Sequence, residues 1–181
     1  MIRKSMILAV ALATGFFVFN SYSQAEEMAT PMVVDFTLQS VGDTPTKTFK
    51  LSENKGKHVV LHFLLKTTCP VCQRLTMSYY NELKDNDNVV QVFIKPDDPK
   101  VIEKWLGKMK DRPTIYHDPN AQLAAKYGVK DGFRFHGEVV HYPAFILLDE
   151  NGKEVFRYVG KNNRDRFTYS DFAKKFPNLV K

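Results

Sequence analysis

Two cysteines separated by two residues are the part of this sequence best suited to chemistry. Cys69 and Cys72 enclose Pro70 and Val71, and the 181-residue chain contains no other cysteine. In such a pair one thiolate can attack a disulfide, and the second thiol can then resolve the mixed disulfide that forms. The spacing therefore predicts thiol–disulfide exchange, with a Cys69–Cys72 disulfide as the oxidised state.

The flanking residues predict how the pair is held. An apolar run from His58 to Leu65 starts with β-branched residues and favours a buried strand, whereas the residues from Gln73 to Leu83 lack Gly and Pro and suit a helix. A strand, turn and helix in that order place Cys69 at the helix N-terminus, where free N–H groups and the helix dipole favour a thiolate. Proline at the next position suits the first helical turn.

Two other uses of the cysteine pair have to be weighed. A zinc site normally has four ligands, and a second C-x-x-C is absent. His58 and His62 would lie roughly 13 Å apart on a strand, too far to bind one ion. His136 and His141 are five residues apart in an expected loop, and they keep a metal site open as an alternative. A purely structural disulfide is also open for an exported chain, although so short a loop would stabilise the fold little.

The N-terminus has the pattern of a secretory signal. Arg3 and Lys4 precede an apolar stretch over residues 6–19, and small residues stand at Ser23 and Ala25. The pattern predicts cleavage after Ala25 and a periplasmic or otherwise exported protein. The apolar stretch is short for a transmembrane helix, so we expect no stable membrane insertion after cleavage, with an uncleaved anchor as the alternative.

One domain is expected after the signal. Removing 25 of the 181 residues leaves 156, and residues 26–181 suit a single domain with a sizeable core. The formal charge of +6 falls to +4 because the signal holds two basic and no acidic residues. The lysines are scattered, which indicates a solvated surface and gives no support to nucleic-acid binding.

Strand and helix patterns alternate along this domain and predict a mixed α/β sheet covered by helices on both faces. An N-terminal β-hairpin extension precedes the cysteine segment, and an Asn-Gly turn marks a closing hairpin. The expected strands are at 33–38, 46–51, 58–65, 89–94, 144–149 and 154–159, and a Gly-punctuated stretch lies at 131–141. Helices are expected at 73–83, at 120–127 before Gly128 and at 168–176. A further helix starts at Asp98, and its expected core face consists of Val101, Ile102, Trp105, Leu106 and Met109.

Several short motifs occur in a fixed order: Gly56-Lys57, the C-P-V-C segment, Asp118-Pro119, residues 126–129, and residues 143–149 with Gly152. Together they resemble the thioredoxin-fold redoxins, the group of TlpA-like thiol–disulfide oxidoreductases and AhpC/TSA peroxiredoxins, from Val34 to about Gly160. The resemblance implies a thioredoxin-like fold and an exported thiol–disulfide oxidoreductase. Its partners would be substrate proteins with thiols or disulfides and a redox partner protein, and no cofactor is expected.

The resemblance also implies roles for single residues. Cys69 would be the exposed nucleophile and Cys72 the resolving thiol, with Pro143 in a cis peptide facing them. The loop backbone there could pair with an extended substrate segment. The alternative for Pro143 is a trans proline that opens an edge strand. The residues expected to face the substrate are Tyr142, Pro70 and Val71.

Two residues near the cysteines are candidates for tuning their pKa. Lys66 could add positive charge close to Cys69, although a solvated lysine is the commoner case. His62 could titrate in a useful range, although a core histidine is the commoner case. The chain departs from its relatives here, because the central strand carries no carboxylate and Leu75 stands where TlpA-like proteins often have Glu.

Two other functions remain open. The first is a thiol peroxidase, because peroxidases of this superfamily carry the motif P-x-x-x-T/S-x-x-C. Here His62 and Lys66 occupy the Pro and Thr/Ser positions, and Pro143 falls near the position where those enzymes typically carry Arg. A bound peroxide would therefore lack its hydroxyl donor and its guanidinium. A non-catalytic binding module with a structural disulfide is the other alternative.

The segment between Val129 and Pro143 resembles the corresponding part of bacterioferritin-comigratory-type peroxiredoxins. Its aromatic and histidine side chains could form a partner-facing lip or fold onto the core. They are Phe133, Phe135, His136, His141 and Tyr142. Family analogy favours the reductase direction of exchange.

Overall fold

A computed structural model describes residues 34–66, 69–107, 109, 111–129, 131–135 and 137–180. The expected signal at 1–25 lies outside these residues, so its cleavage stays a prediction. The strands of the described residues are β1 (Thr37–Val41), β2 (Thr48–Lys50), β3 (His58–Phe63), β4 (Val89–Lys95), β5 (Ile115–His117), β6 (Asp131–Phe135), β7 (Glu138–His141), β8 (Ala144–Leu148) and β9 (Glu154–Val159); the α-helices are α1 (Pro70–Leu83), α2 (Pro99–Leu106), α3 (Gln122–Lys126) and α4 (Tyr169–Lys175).

The main sheet is mixed, as the sequence predicts. Its seven strands run in the order β2-β1-β5-β4-β3-β8-β9. The central strand β3 is parallel to β4 and antiparallel to β8. This mixed sheet with helices against it confirms the expected α/β, thioredoxin-like class.

Side chains that alternate along β3 divide the core into two layers. Val60 packs with buried residues of α1, α2 and α4 on one face. Val59, Leu61 and Phe63 pack on the other face with residues of α3. Because β3 is buried on both faces, its end is fixed where the chain turns toward α1, and this end carries the cysteine segment.

The N-terminal hairpin is present, but it is part of the main sheet. β1 pairs antiparallel with β2 and also with β5, so the expected extension lengthens the sheet. β1 begins at Thr37, later than predicted. Just before it, the Asp35 carboxylate accepts the N–H groups of Phe36 and Ser52.

The stretch at 131–141 was expected as a loop, and it forms a separate two-stranded sheet, β6–β7. Gly137 adopts a φ of 83° between the two strands, a conformation that favours glycine. The short strand β5 was also not predicted. The closing hairpin β8–β9 and the capping box of Thr168 and Asp171 before α4 agree with prediction.

The core face of α2 is narrower than predicted. Ile102, Trp105 and Leu106 are buried, but Val101 is 36% exposed. The helix ends at Leu106, so Met109 lies beyond it and is only partly buried. The prediction for Val101 was therefore wrong, because spacings of three and four residues from Ile102 define the buried stripe without it.

Tyr79 joins α1 to the segment that leads into α4. Its buried hydroxyl donates toward the carbonyl oxygens of Phe167, at 3.2 Å, and Thr168, at 3.0 Å. This contact fixes the chain directly after Arg166, a residue that reaches the cysteines.

Replacing Tyr79 with Phe should lower the free energy of unfolding by about 1 kcal/mol, the usual value of one buried hydrogen bond. Urea unfolding of the reduced protein measures it. The matched control is Tyr80→Phe on the same helix, since the structure shows no hydrogen bond of the Tyr80 hydroxyl to described residues, and it should change stability by less than about 0.5 kcal/mol. Equal losses in both variants would contradict the assignment.

Candidate functional site

Cys69 is the N-cap of α1, where the sequence places it. Its backbone is extended, with φ −73° and ψ 116°, and Pro70 opens the helix. The Cys72 N–H donates to the Cys69 sulfur at 3.4 Å, and the Gln73 N–H donates to the Cys69 carbonyl at 3.2 Å. The sulfur therefore meets N–H groups that the helix cannot satisfy internally.

These contacts favour the charged form of Cys69. A hydrogen bond from the Cys72 thiol, further bonds from the backbone N–H groups of Cys72 and Val71, and the positive charge of Arg166 lower the pKa of Cys69 to about 5, against the opposing effect of burial. Cys69 is half-buried, so its thiolate is accessible at neutral pH. A thiolate is the nucleophilic form of cysteine.

Cys72 has the opposite properties. Its side chain is 1% exposed. The hydrogen bond to the Cys69 sulfur and then burial raise the pKa of Cys72, with Arg166 acting against them. Both cysteines are free thiols in the structure, so it shows the reduced pair, and the predicted disulfide remains a prediction. The pair combines one accessible thiolate with one sequestered proton donor.

Arg166 is a site residue that sequence reasoning missed. It lies between β9 and α4, and its Nη2 is 3.5 Å from the Cys72 sulfur. Its Nη1 donates to the Asp165 carbonyl at 3.0 Å, which fixes the guanidinium. No local pattern marks an arginine that stands 94 positions beyond the cysteine it contacts; only the fold brings the two together.

A buried ion pair is the second feature that the sequence did not reveal. Lys95, at the end of β4, is fully buried and paired with the buried Asp97, and its ammonium donates to the Leu65 carbonyl at 2.8 Å. Burial lowers the pKa of Lys95, and Asp97 and the two cysteines act against that effect. The carboxylate absent from β3 is thus present just beyond β4, where it pairs with a lysine whose charge interacts with both cysteines.

Lys66 is not placed as a tuning group for Cys69. Its ammonium pairs with the Glu138 carboxylate of the β6–β7 hairpin. Lys66 is not among the groups that shift the pKa of Cys69, and its ion pair connects the hairpin to the end of the segment that follows β3. The positive charge of Arg166, by contrast, does act on the Cys69 sulfur.

His62 is a core residue. It is buried and stacks on Phe93 with ring centroids 4.6 Å apart, beside Tyr79, also at 4.6 Å. Burial lowers the pKa of His62 to about 3, so the ring is neutral at any pH where the protein would work. The structure agrees with the favoured interpretation as a core histidine, and it contradicts the possibility that His62 titrates in a useful range.

Pro143 is trans, not cis. Among the described residues the cis peptide is Thr44–Pro45. The trans form is intrinsically preferred, and here it leads directly into β8, with the Pro143 carbonyl accepting the Gly160 N–H at 2.9 Å. Since β8 lies between β3 and β9, it is not an edge strand either. Pro143 and Arg166 line the same small cavity, so the proline lies close to the cysteine site.

Tyr142 packs against the hairpin. Its ring covers Gly132, where an added Cβ would lie 2.7 Å from the ring, and it contacts Phe133 with centroids 6.3 Å apart. His141 is buried, and its Nδ1 lies 2.7 Å from the Tyr142 carbonyl. Of the expected lip, His141 folds inward while Phe133 and Tyr142 stay half-buried; His136 lies outside the described residues.

The remaining substrate-facing residues lie at the surface. Pro70 is exposed and Val71 is half-buried, next to Cys69 at the start of α1. Within the described ranges, no three His, Cys, Asp or Glu side chains form a group that could hold a metal ion. No helix in the described part of the chain is long and apolar enough to cross a membrane.

Comparisons with known proteins agree with the fold and identify a family. A family model described as Redoxin matches residues 26–175. A Haemophilus influenzae protein named as a candidate peroxiredoxin, bcp, is 29% identical over 111 residues, which are 59% of this chain and 71% of that protein. The structure of a Chlorobium tepidum protein named as a candidate thiol:disulfide interchange protein, DsbE, is 26% identical with a TM-score of 0.53, over 70% of this chain and 82% of that one. The exposed lipoprotein thioredoxin Etrx1 of Streptococcus pneumoniae shares the fold, with 21% identity and a TM-score of 0.61 over 81% of this chain and 100% of that one.

Alkylation of the reduced protein by iodoacetamide should occur at Cys69 and should accelerate as pH rises through about 5, where its thiolate forms. Replacing Cys72 with Ala removes the thiol that donates to this sulfur, so the midpoint should move to higher pH. Rates measured by mass spectrometry over a pH series give the midpoint.

Lys66→Gln is the matched control for this measurement. It removes a nearby positive charge that Glu138 already pairs, so it should leave the alkylation midpoint in place. A wild-type midpoint near the ordinary thiol value of about 8.5 would contradict the assigned environment of Cys69.

Proposed function

Because the chain belongs to the redoxin family, we propose that it is an exported thiol–disulfide oxidoreductase that exchanges electrons with protein disulfides through Cys69 and Cys72. The observation that carries the proposal is the contrast between the two sulfurs. Cys69 is accessible and ionises easily, whereas Cys72 is 1% exposed and keeps its proton. This arrangement suits a nucleophile and a resolving thiol.

The proposed reaction has two exchange steps. The Cys69 thiolate attacks a substrate disulfide, forms a mixed disulfide and releases one substrate sulfur as a thiolate. Cys72 then loses its proton and attacks the Cys69 sulfur, which releases the second substrate sulfur. The substrate gains two electrons and the protein is left with a Cys69–Cys72 disulfide, which a redox partner protein must reduce.

A thiol peroxidase is the second candidate, and the relative named as a candidate peroxiredoxin favours it. The residues around Cys69 give it less support. Lys66 stands where a peroxidase hydroxyl is expected and is paired with Glu138, and the guanidinium of Arg166 contacts Cys72. A peroxide bound at Cys69 would therefore lack the hydroxyl donor, and with it part of the electrostatic help that the transition state needs.

The proposed partners are substrate proteins and a redox partner, and the proposed location is the periplasm or another exported compartment. The signal-like pattern ending at Ala25 supports export, and the likeness to a protein named for thiol:disulfide interchange supports the substrate class. Pro70, Val71 and Tyr142, at or near the surface around Cys69 and the hairpin, would meet the substrate.

The reduced protein lacking residues 1–25 should reduce insulin disulfides with dithiothreitol as electron source and should consume hydrogen peroxide far more slowly. Cys69→Ser should abolish insulin reduction, because it removes the nucleophile. Cys72→Ser should keep the first step and accumulate a mixed disulfide, visible on a non-reducing gel.

The matched control is a serine substitution far along the chain from the cysteines. Thr48→Ser, at an exposed position of β2, should leave the rate of insulin reduction unchanged. Rapid peroxide consumption that depends on Cys69, together with no insulin reduction, would show the peroxidase instead. Full partner binding with an inert Cys69 would show the non-catalytic module.

A further inference from the structure

The resolving step poses an electrostatic problem that the first step does not. Cys69 is ionised before it reacts, but Cys72 must become a thiolate while 1% exposed. Forming an anion in so dry a place is costly unless a cation or hydrogen-bond donors are present. Arg166 is placed there, with Nη2 3.5 Å from the Cys72 sulfur.

The surroundings of Cys72 change when Cys69 forms the mixed disulfide. In the reduced pair the Cys69 thiolate accepts a hydrogen bond from the Cys72 thiol, and its negative charge opposes a second anion. Once Cys69 is bonded to substrate sulfur, that charge is gone. Burial then still opposes ionisation of Cys72, and the hydrogen bond and charge of Arg166 favour it.

The other charged groups near Cys72 are less suited to this task. Lys95 on β4 interacts electrostatically with both cysteines, but its charge is balanced by the adjacent Asp97 carboxylate. His62 on β3 is neutral in its aromatic cage. The guanidinium of Arg166 combines a permanent charge with a donor aimed at the sulfur.

We propose that Arg166 is a catalytic residue of the resolving step, and that its guanidinium stabilises the Cys72 thiolate while that sulfur attacks Cys69. The proposal rests on the proposed exchange function. In the step, the Cys72 proton passes to solvent, the new bond joins the two cysteine sulfurs, and the bond between Cys69 and the substrate sulfur breaks with its electron pair leaving on the substrate.

The aromatic disulfide 5,5′-dithiobis(2-nitrobenzoate) separates the two steps, because each releases one coloured thiolate. The wild-type protein should release one equivalent at a rate proportional to reagent concentration and a second at a rate independent of it. Cys72→Ser should release only the first. In Arg166→Gln the second phase should slow about tenfold, as expected for the loss of a hydrogen bond to a charged group, and the first phase should change by less than about twofold.

Three comparisons make the result specific. Arg164→Gln removes an exposed charge two residues away and should leave both phases as in wild type. Arg166→Lys keeps the charge and should restore part of the second rate. The pH at which the second phase reaches half its maximum should rise in Arg166→Gln. Circular dichroism melting confirms that each variant is folded.

The outcomes distinguish the two proposals. An Arg166→Gln protein that resolves at the wild-type rate, or that slows equally in both phases, overturns the role of Arg166 and leaves the exchange function standing. A wild-type protein that releases no second equivalent overturns the exchange function, and the role of Arg166 falls with it.

Discussion

A single shared proton between two sulfurs organises this site. The Cys72 thiol donates toward the Cys69 sulfur, so one sulfur is charged and the other stays protonated. This division depends on position: Cys69 caps α1 at the surface, and Cys72, one turn later, points into the core. Had both side chains the same exposure, burial and helix N–H groups would act on them alike, and neither would be favoured as the nucleophile.

The fold supports this asymmetry from three directions. Strand β3 is buried on both faces and delivers the chain to the start of α1. Strand β4 ends at Lys95, whose buried ammonium pairs with Asp97 and interacts electrostatically with both cysteines. The segment after β9 is held to α1 by Tyr79 and carries Arg166 to the Cys72 sulfur. The site is thus assembled from elements far apart in the sequence.

The sequence predicts what depends on short-range patterns and misses what depends on packing. The C-x-x-C pair, the start of α1 at Pro70 and the β8–β9 hairpin follow from local spacing, and the structure agrees. The β6–β7 hairpin was missed because the glycines within it resemble those of a loop. Arg166 could not be found, because nothing local identifies the partner of a side chain that folds in from a distant segment. Pro143 was expected in the cis form by analogy with relatives, and the packing here accommodates the trans form.

The β6–β7 hairpin forms a small sheet of its own and is tied to the loop before Cys69 by the pairing of Lys66 with Glu138. Its hydrogen-bonded register is therefore independent of the seven-stranded sheet, where a shift of one residue would turn core side chains outward. Val140 and His141 nevertheless pack into the core, so sequence change is least restricted at the exposed positions of the hairpin, such as Arg134 and Glu138. The exposed side of the hairpin is thus a surface beside the cysteines whose shape and charge can change while the pairing of the main sheet stays the same.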